Sequence, residues 1–130
     1  MIDQKYRTYP FRECTAIAES SMGGLMAFYG VIKCNQYISK AACLSPAFGL
    51  CKKRLERDLP QNLNPDTRIY MSLGTEEFKR PQRFIKNIQE FNDYIVSQGA
   101  TSYINIIPGG HHNEAEWEKQ NELYMNVMWK

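Results

Sequence analysis

Long apolar runs, paired cysteines, histidines and unbroken blocks of charge are all scarce in this 130-residue chain. No stretch approaches the roughly 18 apolar residues that a bilayer crossing needs. The N-terminus MIDQKYRTYP lacks the apolar centre of an export signal, so a soluble, cytoplasmic product without membrane contact is expected. No CxxC occurs: Cys14, Cys34, Cys43 and Cys51 stand 20, 9 and 8 residues apart, with no histidine at ligand spacing. Free, partly buried thiols in a reducing compartment follow. The 16 basic and 14 acidic residues give a net charge of +2. The densest basic cluster, Lys52, Lys53, Arg54 and Arg57, is interrupted by Glu56 and Asp58, which reads as a solvated helix face; no nucleic-acid partner is expected.

What is present, 43% hydrophobic residues, suffices for one core and a single domain over residues 1–130. Thr15–Ala18 reads as a strand that runs through a tight Glu-Ser-Ser-Met-Gly-Gly turn into a buried helix around Leu25–Ile32. Tyr37–Leu44 is a second strand closed by Ser45-Pro46. A weak helix over Lys52–Leu59 and an Asn- and Pro-rich loop lead to a third strand, Arg68–Leu73. After Pro81 the apolar residues Phe84, Ile85, Ile88, Phe91 and Ile95 fall at spacings of three and four, which is one helical stripe, and Gly99 ends it. Tyr103–Ile107 is the fourth strand, broken by Pro108-Gly109-Gly110, and a helix is expected from Asn113 to the end. Alternating strands and helices predict the α/β class: a mostly parallel sheet of about four strands flanked by helices on both faces.

Glu19-Ser20-Ser21-Met22-Gly23 stands where a G-x-S-x-G turn would hold a nucleophilic serine at a helix N-terminus, with the Met22 amide free to stabilise an oxyanion. A serine needs an adjacent base, and the histidines are His111 and His112, both in the loop after the last strand. A carboxylate should orient the imidazole, and Glu76 and Glu77 follow the preceding strand. Each feature also has a plainer reading: an ordinary turn at Ser21, a metal-binding Gly-Gly-His-His loop, first-turn helix acids at Glu76 and Glu77. For Trp117 and Phe48, packing competes with lining an acyl pocket.

The segments AESSMGGLMAFYG, ACLSPAF, YMSLGTEE and PGGHHNEAEW, in this order, resemble the putative-esterase family of α/β-hydrolases, which includes esterase D, enterochelin-type esterases, feruloyl esterase domains and mycolyltransferases. The resemblance runs from about Ile2 to the end. It implies Ser21 as nucleophile, His112 as base, Glu77 as acid and the Met22 N–H as oxyanion donor, with no cofactor. The activity implied is hydrolysis of a small-molecule carboxylic ester through an acyl-enzyme; acyl transfer by the same chemistry, and a catalytically impaired unit serving in folding or interaction, are the alternatives. The chain departs from the family by placing Glu19 where glycine is usual, a long charged side chain expected either to crowd the turn or to place a carboxylate near it. Complete members are about twice as long, so the chain corresponds to a C-terminal half, a partial α/β-hydrolase fold whose relatives take a second oxyanion N–H from their first half. The sheet edge left open is a surface through which two copies could pair as a homodimer.

Overall fold

The computed structural model describes residues 1–130 as a four-stranded sheet with all strands parallel and in sequential order. A short helix α1 (Ile2–Lys5) precedes β1 (Ala16–Ser20), α2 (Met22–Lys33), β2 (Lys40–Leu44), α3 (Lys52–Asp58), β3 (Arg68–Gly74), α4 (Pro81–Ser97), β4 (Thr101–Ile107), α5 (Glu114–Glu118) and α6 (Asn121–Trp129). The register pairs Ser20 with Leu44, Leu44 with Ser72, and Gly74 with Ile107, so all four strands finish along one rim.

Sequential strand order has a direct consequence for layering. Crossovers of one hand that always step the same way place their helices on the same face. Accordingly α2, α3 and α4 share one core with the alternate residues Ala41, Cys43, Ile69, Met71 and Leu73 of the central strands. Three rings, Phe28, Phe48 and Phe91, meet at its centre with centroids 4.6 to 5.1 Å apart. The stripe on α4 faces this core, with Ile88, Phe91 and Ile95 buried and Phe84 and Ile85 partly so. Its end is a left-handed Gly99 at φ 79°, followed by an Ala100 N–H bond back to the Ile95 carbonyl, a closure that glycine makes without steric cost. The opposite face carries Ala42, Leu44 and Tyr70, covered by Met128 and its neighbours on α6. Helices therefore flank both faces, and no helix is long and apolar enough to cross a membrane.

Several boundaries differ from the sequence expectation. Strand β1 starts at Ala16 and continues to Ser20, because Glu19 and Ser20 pair with Cys43 and Leu44. Strand β2 begins only at Lys40, since residues 35–37 form the turn that closes α2. The C-terminal helix is broken at Lys119-Gln120. Gln120 is buried there, its side chain accepting from the Tyr70 hydroxyl at 2.8 Å and donating to the Glu116 carbonyl at 3.2 Å. A straight helix would not place α6 on the sheet and also bring Trp117 toward the rim. All four cysteines are free, and burial pushes the Cys43 thiol far above the ordinary range, so it is an inert core residue.

Candidate active site

In a parallel sheet the carboxyl ends of all strands open on one rim, and loops distant in sequence meet there. Ser21 leaves the end of β1 in a turn with φ 57° and ψ −122°, a conformation that costs a non-glycine residue of order 1–3 kcal/mol. Backbone bonds hold it: the Ser21 N–H donates to the Leu44 carbonyl at 2.8 Å, and the Ala47 N–H donates to the Ser21 carbonyl at 3.1 Å. Gly24 makes the approach of α2 to β2 possible, since a Cβ there would lie 2.9 Å from the Leu44 carbonyl oxygen. Met22 opens α2, so its N–H has no carbonyl one turn earlier in the helix to bond.

The histidine and carboxylate arrive through a second contact, between the loops after β3 and β4. Gly74 and Gly110 stack backbone on backbone; a Cβ on Gly74 would overlap the Gly110 carbonyl. The Glu76 N–H donates to that carbonyl at 3.0 Å, and the Gly109 N–H donates to Thr75 Oγ1 at 2.9 Å. With the loops joined, His112 Nε2 stands 2.9 Å from Ser21 Oγ, and His112 Nδ1 stands 2.8 Å from Glu77 Oε2. Of the paired candidates, His112 and Glu77 are brought to Ser21, while Glu76 is exposed and contributes only its backbone. The His111 side chain is likewise exposed, and its carbonyl accepts from the Asn113 N–H.

The Glu77 side chain is only 2% exposed, against 34% for His112. Its second oxygen is held twice, by the Gly74 N–H at 2.7 Å and the Ser45 hydroxyl at 2.6 Å. Ser45 in turn accepts from Trp117 Nε1 at 2.9 Å, and this fixes the direction of its own proton toward Glu77. The imidazole of His112 meets Trp117 edge-on at 4.9 Å and Phe78 at 5.9 Å. Trp117 thus positions polar groups of the rim, whereas Phe48 belongs to the core. Ser45 was missed by sequence reasoning; the available signal was a serine directly before Pro46 at the end of a buried strand. Ser45 also has a positive φ, 46°.

Glu19 places its carboxylate beside the turn. The carboxylate lies against Gly23, where an added Cβ would be 2.8 Å from Oε2, and Glu19 is also among the residues bordering a small hollow with Ser20, Leu44 and Trp117. The cleft over Ser21 and His112 has a volume of about 1310 Å³. Lys52, Lys53 and Arg54, expected on a solvated helix face, line that cleft, because the 3-10 turn at Phe48–Leu50 swings the start of α3 alongside the rim. No three His, Cys, Asp or Glu side chains converge to hold a metal ion.

Residues 1–121 match the model of the family described as putative esterase. The chain belongs to that family. Solved structures similar to this esterase-family chain include an enterochelin esterase from Shigella flexneri, with a TM-score of 0.80 and 15% identity over 99% of this chain and 34% of that one. S-formylglutathione hydrolase from Staphylococcus aureus aligns with a TM-score of 0.67 and 17% identity, covering 98% of this chain and 55% of that one. The feruloyl esterase module from Clostridium thermocellum gives 0.65 and 16%, covering 98% and 52%. No curated protein sequence matches the chain. The shared fold is that of α/β-hydrolase esterases, and the chain spans about half or a third of the length of these structures.

Proposed function

We propose that this esterase-family chain carries the catalytic residues of a serine carboxylic-ester hydrolase. The observation that supports the reading is the hydrogen-bonded series Ser21 Oγ, His112 Nε2, His112 Nδ1, Glu77 Oε2, built on a strained serine at a helix N-terminus. In the reaction Ser21 Oγ attacks the ester carbonyl carbon as its proton passes to His112 Nε2. The carbonyl oxygen takes up negative charge and faces the Met22 N–H at the positive end of α2. Glu77 stabilises the imidazolium that forms and keeps Nδ1 protonated. Collapse of the tetrahedral intermediate expels the alcohol, which receives its proton from His112, and leaves an acyl-Ser21 ester. Water, deprotonated by His112, then releases the acid and restores Ser21.

Intact-mass labelling with a neutral fluorophosphonate tests this without a known substrate. A single adduct that disappears in Ser21→Ala supports an activated Ser21; no adduct on folded protein refutes it. The second proposal concerns assembly. One edge of β1 has no strand neighbour, and Ala18 and Glu19 are exposed there, so pairing of two copies through this edge is expected. A strictly monomeric mass by light scattering rejects it.

A further inference from the structure

Charge is segregated in this molecule. Seven of its 16 basic residues line the cleft that opens on Ser21 and His112, and none of its 14 acidic residues is among the lining residues. The seven come from the first turn of α3 and from the approach to and first turns of α4. Neither helix has an acid in its first turn, although a helix N-terminus favours acids and disfavours cations. Local preferences broken together at one place are expected where function requires it. Lys52, Arg54 and Lys86 are partly neutralised by Glu90, Glu56 and Asp58. Lys53, Lys79, Arg80 and Arg83 are exposed and have no ion-pair partner. Beside His112 the wall is apolar, formed by the stacked rings of Phe78 and Phe84 at 3.9 Å.

We propose that the cleft selects anionic esters, in which an apolar portion lies on Phe78 and Phe84 near Ser21 and a carboxylate or phosphate reaches the unpaired cations around Arg80 and Arg83. The proposal rests on the hydrolase reading above and adds the substrate class. A cleft lined by one sign of charge concentrates oppositely charged ligands and speeds their encounter, and salt suppresses both effects. Guanidinium groups bind carboxylate and phosphate through paired N–H donors, which gives orientation as well as attraction.

The test uses two matched ester pairs on the 130-residue chain. 4-Nitrophenyl hemisuccinate against 4-nitrophenyl butyrate puts the charge on the acyl side; 3-carboxy-4-nitrophenyl butyrate against 4-nitrophenyl butyrate puts it on the leaving side. In at least one pair the anionic ester is expected to have a kcat/KM roughly tenfold higher at low salt, with the ratio falling toward one as salt is raised. The double variant Arg80→Ala/Arg83→Ala, confirmed folded by circular dichroism, should bring the ratio toward one at low salt. Equal rates within both pairs overturn the anionic preference and leave the hydrolase reading intact. If no ester is cleaved and no fluorophosphonate adduct forms, the hydrolase reading falls, and calorimetric titration with benzene-1,3,5-tricarboxylate decides the cleft separately. Salt-sensitive binding that the double variant loses keeps it an anion site; absence of binding removes it.

Discussion

Replacing Glu77 by glutamine tests the wiring of the site with almost no change of shape. One Glu77 oxygen accepts from the Gly74 N–H and the Ser45 hydroxyl, both donors, so in Glu77→Gln the amide oxygen must take that position. Trp117 Nε1 donates to Ser45 and so hinders the hydroxyl from reversing, and the Gly74 amide cannot reverse at all. The glutamine NH2 then faces His112 Nδ1 and forces that nitrogen to accept, which leaves the proton on Nε2, pointing at Ser21. An imidazole in this tautomer cannot take the serine proton. The corresponding carboxylate-to-amide change in serine proteases lowers turnover ~10⁴-fold, about 5 kcal/mol of barrier, and a loss of that order is expected here. The assay is the second-order rate of fluorophosphonate labelling at neutral pH, followed by intact mass. A Glu77→Gln variant that folds and labels within tenfold of the parent would show that Glu77 does not set the histidine tautomer.

Other consequences are accessible to the same assay. Ser45→Ala removes one donor from a buried carboxylate still held by Gly74, so labelling should slow roughly tenfold and the fold should persist. An unchanged rate would reduce Ser45 to packing. Gly74→Ala forces the β3 and β4 loops apart, so labelling should fall by ~10² or more, alongside ~1–3 kcal/mol lost in urea unfolding. Parent-like labelling would mean the glycine contact does not deliver His112. Burial, the larger influence, pushes the Tyr70 hydroxyl above its ordinary value of 10.0, against weaker lowering by hydrogen bonds. The folded chain therefore holds this proton more tightly than the unfolded chain. That contribution is fully present below pH 10.0 and is lost as pH rises through the folded value. Tyr70→Phe should remove this part of the alkaline loss while leaving Gln120 and Asn105 short of a partner, a cost of about 1–3 kcal/mol at neutral pH. Parallel alkaline melting curves for parent and variant would contradict it.

The periodic and punctuated parts of this chain were legible in one dimension. The α4 stripe, the Gly99 stop and the four alternations of strand and helix need only local geometry, and the parallel sheet follows from the crossovers they impose. Ser21 stands out in sequence through the joint pattern of strand, tight turn and buried helix together with the later histidine and acid pairs, since a Ser-x-Gly turn by itself is common. Local rules leave His112 and Glu77 each as one of two adjacent candidates, and it is the resemblance to the esterase family that implies His112 over His111 and Glu77 over Glu76.

The contacts that distinguish these neighbours are tertiary. The Gly74–Gly110 stack sets how far the β4 loop lies over the β3 loop, and this places His112 rather than His111 between Ser21 and Glu77. Ser45 and Trp117 are 72 residues apart and carry no shared pattern; their hydrogen bond exists because β2 ends on the rim that the break at Gln120 brings α5 toward. The cationic cleft is a tertiary feature for the same reason. Lys52–Arg54 read as part of a solvated helix face, and Lys53 and Arg54 are exposed, but only the packing of α3 beside α4 brings them together with Lys79, Arg80, Arg83 and Lys86 around one cleft. By itself the sequence determined the elements and the order in which chemistry-bearing residues reach the rim, because backbone periodicity and turn sterics act over a few residues. Which of those residues touch was decided by the tertiary structure, because hydrogen bonds and charge act across space over distances that chain separation does not encode.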